Sequence, residues 1–334
     1  MRQTILRCVA ALCFVGAAAA QAETIRVINP QSFYPEGPHW ADGVLYYAEM
    51  TQDRVMAWDG AANRVFWQGP GCGPTAIVKT ERGTFYIFCH GGNRAHEVSA
   101  IGRVVRTIEK DESGEAIGNP NEAIADLDGG VYFTSSGPFG PSAPALGRVF
   151  YIARDGSVRK VADRIHYANG LALSADRRSL VVGAHLERKL WRFPVLAPGK
   201  LGERELFLDL DAALGPSPHK PAWYVGPDGL LFDPPGNLYV CEYGASRILI
   251  FDKERKLLKV IALPASPFVN AATFGSAPDV LYVGAADTNS AGQLPGRSLR
   301  RSAVQPGEGH LVAVNNLRFG PDRRGQRLLC QGIP

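Results

Sequence analysis

Pro120-Asn121-Glu122-Ala123-Ile124-Ala125-Asp126-Leu127-Asp128-Gly129-Gly130-Val131-Tyr132-Phe133 reads as a short strand, a tight polar turn and a second strand of aliphatic and aromatic residues. The same phrase recurs along the chain. Ala168-Asn169-Gly170-Leu171-Ala172-Leu173 runs on to Ser179-Leu180-Val181-Val182, and Pro227-Asp228-Gly229-Leu230-Leu231-Phe232 to Gly236-Asn237-Leu238-Tyr239-Val240. Further copies begin at Glu36-Gly37-Pro38, at Pro74-Thr75-Ala76 and at Val269-Asn270-Ala271. Several add a third strand, such as Arg54-Val55-Met56-Ala57-Trp58, Arg148-Val149-Phe150-Tyr151-Ile152 and Arg247-Ile248-Leu249-Ile250-Phe251. Asp-Gly pairs occupy many of the turns, where glycine takes positive φ at little cost.

One such unit cannot bury both its faces, so six copies predict an all-β, six-bladed β-propeller closed around a central channel. A β-sandwich or two stacked barrels is the competing arrangement, and six like units favour the ring. Composition agrees. The chain has 334 residues, 46% of them hydrophobic, with 37 glycines, 24 prolines and only 3 methionines, a balance of strands and turns rather than a helical bundle. No Gly/Ser-rich linker or charge run divides it, so residues 23–334 read as one domain. The stretch from Asn289 to Glu308 is the expected long loop.

Residues 1–22 read as a secretory signal. Arg2 and Arg7 precede an apolar run from Cys8 to Ala20, and Ala20-Gln21-Ala22 is a small-x-small cleavage site. That run is shorter than the roughly 20 residues needed to cross a bilayer. The mature protein is therefore expected to be exported, periplasmic or secreted, without membrane insertion. Removing the two arginines takes the formal charge from +4 to +2 (4 − 2), because residues 1–22 contain no acid. A small, scattered excess gives no electrostatic case for nucleic acid. Cys72, Cys89, Cys241 and Cys330 remain after cleavage, with no C-x-x-C pair. They allow three disulfide pairings, or four free thiols. Antiparallel pairing of Thr75–Val78 with Phe85–Phe88 would bring Cys72 to Cys89, the favoured bridge. No feature speaks to oligomeric state.

The repeat also places chemistry. Glu36, Thr75, Asn121, Asn169, Asp228 and Asn270 each stand just before an inner strand and would converge at one mouth of the channel. Two carboxylates and three carboxamide oxygens make a hard-oxygen environment suited to Ca2+ or Mg2+. Asn and Asp also shape strand-entry turns, but glutamate at the same offset has no such role. There is no G-x-S-x-G elbow, H-E-x-x-H pair or Walker-type glycine loop. Of seven dispersed histidines, His39, His90 and His185 lie near strand ends, where a structural role is expected and a proton-shuttle role is the alternative.

Glu36-Gly37-Pro38-x-Trp40, Pro120-Asn121-Glu122, Ala168-Asn169-Gly170-Leu171-Ala172 and Gly226-Pro227-Asp228-Gly229-Leu230 resemble the gluconolactonase/regucalcin-like family. The likeness spans about Tyr34 to Gly284. It implies a metal-dependent hydrolase that opens lactone rings of sugar acids or related small lactones, using one divalent ion. That ion is usually calcium, with Zn2+, Mn2+ or Mg2+ as substitutes. Carried over by motif, the metal ligands are Glu36, Asn169 and Asp228, with Asn121 beside them as ligand or substrate contact. Asp228 would also be the catalytic general base, and Glu122 and Asn270 would touch substrate. The chain departs from the family at Asn119, where regucalcin-like members carry arginine, and at Ser135, where one branch carries an aspartate proposed as general acid. A different metal-dependent esterase, or a propeller that only binds a ligand or protein, are the competing functions.

Overall fold

A computed structural model describes residues 24–219, 221–263, 266–277, 279–286 and 309–315. The signal-like residues 1–22, the loop from Asn289 to Glu308 and Cys330 lie outside the described residues. Six antiparallel sheets follow one another along the chain. The first five blades occupy residues 35–68, 74–108, 120–165, 168–209 and 226–262. Each is a meander of neighbouring strands, and the fourth adds the two-residue strand Lys200–Leu201. The sixth blade differs. Phe268–Phe274, Leu281–Ala286 and Gly309–Asn315 form its inner three strands, and Thr24–Ser32 completes it from the other end of the chain. The expected ring is therefore closed by hydrogen bonds between sequence-distant strands, which removes open edges at the junction.

Packing follows the expected pattern. Second strands such as Phe85–Cys89 and Val131–Ser135 are buried on both faces, which is why they read as unbroken apolar runs. Outer strands are largely exposed or half-buried, with Val105 and Leu258 among their exposed residues. Hydrophobic clusters fill the junctions between blades. Phe88 of the second blade meets Phe133 of the third at 5.0 Å, and Tyr239 of the fifth meets Phe274 of the sixth at 5.2 Å. Cys72 and Cys89 are bridged, with Cα atoms 4.5 Å apart. The register that sets Pro74 opposite Cys89 brings them together. Cys241 is a buried free thiol.

Candidate functional site

The polar residues expected just before the inner strands lie inside them. Glu36, Thr75, Asn121 and Asn169 are second in their strands, and Asp228 and Asn270 third. Each of these strands slips register beside its neighbour at or next to that residue, for example between Pro120 and Ala123 and between Pro227 and Leu230. A bulge of this kind re-aims a side chain without ending the strand. The polar residue is thus turned out of the pleat while pairing continues around it.

Contacts from blade to blade show that the six positions form one ring. Thr75 Oγ1 donates to the Asn121 carbonyl at 2.9 Å, and Thr134 Oγ1 to the Asn169 carbonyl at 2.7 Å. A Cβ on Gly170 would overlap the Asp228 carbonyl, and one on Gly229 would crowd the Asn270 carbonyl. Asn270 Nδ2 donates to the Pro35 carbonyl at 2.9 Å, returning to the first blade. Glycine after Asn169 and Asp228 is what lets neighbouring inner strands approach this closely. Thr75 is occupied in this ring by backbone carbonyls.

Electrostatically the ring is strained. Glu36 and Asp228 are both buried, and each is held well above the ordinary carboxylate range. Loss of water is the main cause for both. Repulsion from Asp228 and then Glu122 adds to it at Glu36, and repulsion from Glu122 adds to it at Asp228. Glu122 is itself pushed up to about 7 by burial. Asn169 Oδ1 and Asn270 Oδ1 are buried and have no hydrogen-bond partner among the described residues. Buried carbonyl oxygens with no partner among the described residues, together with desolvated carboxylates that repel one another, fit a bound cation. Among the described residues no three His, Cys, Asp or Glu side chains close into a metal cluster. The donor set is instead mixed carboxylate and carboxamide oxygen, which fits a hard divalent ion. Glu36, Asn169 and Asp228 could hold it, with Asn121 and Asn270 alongside. Asn121 Nδ2 donates to Ser136 Oγ at 2.9 Å, so its carboxamide is anchored through nitrogen.

Other singled-out residues take structural roles. His39 Nε2 accepts from the Lys79 amide at 3.1 Å. Asn119 has φ 41°, and its backbone amide donates to Asn93 Oδ1 at 2.8 Å. Ser135 Oγ donates to the Gly118 carbonyl at 2.6 Å and accepts from Arg148 at 2.9 Å, so it offers no acidic proton. His90 and His185 are held down to about 4, above all by burial.

The sequence reading missed the aromatic residues beside the ring. Tyr34 and Tyr167 stand two positions before Glu36 and Asn169, both in left-handed backbone with φ 54° and 55°. That conformation disfavours bulky side chains, and its recurrence at matching positions marks a constrained site. Both phenols are raised, by burial first and also by the Glu36 and Asp228 charges. Tyr34 and Tyr243 share a hydroxyl–hydroxyl contact of 2.9 Å. The signal was present as Tyr-x-Glu-Gly and Tyr-x-Asn-Gly in two of the repeats.

The chain is similar to known proteins in sequence and in fold. The chain is 27% identical over 276 residues to an uncharacterized protein of Sulfolobus acidocaldarius, covering 80% of this chain and 92% of the other. It is 28% identical over 233 residues to lactonase drp35 of Staphylococcus epidermidis, 67% of each. Among solved structures, a gluconolactonase of Xanthomonas campestris superposes with a TM-score of 0.66 at 20% identity, over 87% of this chain and 89% of that one. A calcium-binding regucalcin of Agrobacterium tumefaciens gives 0.64 at 17%, over 87% and 93%. At such identities the structural likenesses speak for the fold. The family described as SMP-30/Gluconolactonase/LRE-like region matches residues 34–287. That match covers most of the chain and all the inner strands of the ring, and the chain belongs to this family.

Proposed function

We propose that the protein is an exported, metal-dependent lactone hydrolase, with Glu36, Asn169 and Asp228 holding one divalent cation, calcium by preference. The carrying observation is the pair of buried carboxylates, raised first by burial and then by repulsion from Asp228 and Glu122 at Glu36 and from Glu122 at Asp228, together with the buried oxygens of Asn169 and Asn270 that lack a partner among the described residues. The relation to lactonase drp35 supports lactones as substrates. When bound, the cation would supply electrophilic stabilisation of the carbonyl oxygen and a lowered pKa for water. The chain supplies the rest. Asp228 accepts the proton of the attacking water as general base. Asn121, Glu122 and Asn270 orient the substrate from neighbouring blades, and the buried phenols of Tyr34 and Tyr243 limit water around the reacting centre. Ring opening leaves a hydroxy acid. The signal-like residues 1–22 and the Cys72–Cys89 bridge support export to an oxidising compartment.

The test is proton release by the purified mature protein on a panel of lactones, aryl esters and phosphotriesters. Each is assayed with Ca2+, Mn2+, Zn2+, Mg2+ or chelator. Lactone turnover abolished by chelator and restored by calcium is expected. Turnover of the other esters alone would reassign the substrate, and no turnover of any would make the propeller a binding module. Intact mass from the envelope fraction should place the mature N-terminus at Glu23; retained residues 1–22 would refute export with cleavage.

A further inference from the structure

Gly118-Asn119-Pro120-Asn121 brings the third blade's polar residue into the ring through two consecutive left-handed residues, Gly118 at φ 28° and Asn119 at φ 41°. The second carries a side chain and precedes a proline, which favours extended backbone before it. Such an entry persists only where neighbours fix it. Two serines at the end of the next strand do so. Ser135 Oγ donates to the Gly118 carbonyl at 2.6 Å, and the Ser136 amide donates to the Asn119 carbonyl at 3.0 Å. From the second blade, Asn93 Oδ1 accepts from the Asn119 amide at 2.8 Å.

The Ser136 side chain then reaches the ring itself. Its Oγ accepts from Asn121 Nδ2 at 2.9 Å, with the two residues 0% and 9% exposed. It also hydrogen-bonds the Tyr167 phenol, which stands two residues before Asn169. A carboxamide has two faces, a donor at Nδ2 and an acceptor at Oδ1, and a half-turn exchanges them. Only the Oδ1 face can serve a cation. The ring's own charge favours the other face, because carboxylates such as Glu36 and Asp228 attract N–H groups. Something must hold the nitrogen away from them. Among the described residues Oδ1 of Asn121 has no donor, so the Ser136 contact alone selects the face.

We propose that Ser136 is a positioning residue: by holding Asn121 Nδ2 it keeps Oδ1 turned into the ring, where it gives the cation a further oxygen. The share given to the cation rests on the metal-dependent reading; the orientation of the carboxamide does not.

Two measurements separate these. In nitrogen-15-labelled, calcium-free mature protein, the Asn121 side-chain amide signals are assigned by their loss in Asn121→Ala. Their exchange with solvent should be about 2–10-fold faster in Ser136→Ala, the range expected for one hydrogen bond. Ser136→Cys, close in outline but a weaker acceptor, should fall between. By calorimetry, Ser136→Ala should weaken calcium by about 2–10-fold, yet change it by less than about twofold when Asn121 is already alanine. A residue that merely supported the fold would cost the same in both backgrounds. Equal losses in the two backgrounds, an unchanged calcium affinity, or exchange that ignores the hydroxyl would each overturn the proposal. An exchange difference in a protein that binds no calcium at all would uphold the orientation and remove the metal reading.

Discussion

At the scale of single residues, the centre works through groups whose charge is costly where it stands. Asp228 is the sharpest case, since it is asked both to hold the ion and to take a proton. Asp228→Asn keeps size and one donor oxygen but loses the charge and the basicity. Activity should fall by about 10²–10⁴-fold, the usual loss for general-base catalysis, and excess calcium should restore occupancy without restoring rate. Glu36→Gln acts through the ion alone, so high calcium should recover part of its activity. An Asp228→Asn enzyme as fast as wild type at saturating metal would move the base elsewhere. The buried histidines set a second dependence. His39, His90 and His185 are each held near 4, mainly by burial, against about 6.5 in the unfolded chain. Between those values the unfolded state binds more protons, so stability is full above 6.5 and is lost as pH falls towards 4. Each histidine contributes up to about 1.4 kcal/mol per pH unit across that window. Urea midpoints of the calcium-loaded protein at pH 7, 6 and 5 should fall in step; a level series would contradict the burial of all three.

At the scale of elements, the inner strand is the functional part of each blade. Its bulge turns the polar residue out of the pleat, and in the first, fourth and fifth blades a following glycine lets the next strand close in. Gly170→Ala tests this directly. The added methyl meets the Asp228 carbonyl and the Gly229 Cα, both backbone, which cannot swing aside. Overpacking of this kind costs about 1–3 kcal/mol. Because the displaced segment carries Asp228, calcium affinity should weaken along with the melting temperature. A variant that melts lower but binds calcium as before would uncouple strand approach from the centre. The bulges were not legible in the sequence. Strand period and turn residues are local signals, whereas a register slip depends on what the neighbouring strand offers.

At the scale of the whole molecule, one ion on Glu36, Asn169 and Asp228 would tie the first, fourth and fifth blades directly and bear on the ring that joins the rest. The ring of contacts through Asn121, Asn169, Asp228 and Asn270 returns to Pro35, so its electrostatic strain bears on closure as a whole. A cation that binds only the folded ring stabilises it by about 2.7 kcal/mol when free metal is 100-fold above its dissociation constant. Chelation should lower the melting temperature by several degrees, and calcium should restore it. Unchanged melting with metal removal confirmed by elemental analysis would mean that the carboxylates tolerate one another without an ion. Closure itself rests on Thr24–Ser32 pairing with Gly309–Asn315.

Much of this was readable from the chain by itself. Alternating apolar residues, Asp-Gly turns and a phrase used six times specify strands, hairpins and blades, because each depends on neighbours a few residues away. Repetition also made Glu36, Asn121, Asn169, Asp228 and Asn270 equivalent positions, so their convergence could be inferred from symmetry. Tertiary structure alone decided the rest. It chose a strand before the first blade to finish the sixth, tied Ser135 to Gly118 and Arg148, and left Asn169 and Asn270 each with an oxygen that has no partner among the described residues. It also gathered Phe139, Tyr167, Trp223, Tyr224 and Phe268, scattered over more than a hundred positions, into one cluster of rings. Those outcomes depend on which distant groups meet once water is excluded, and no local pattern of residues encodes such a meeting.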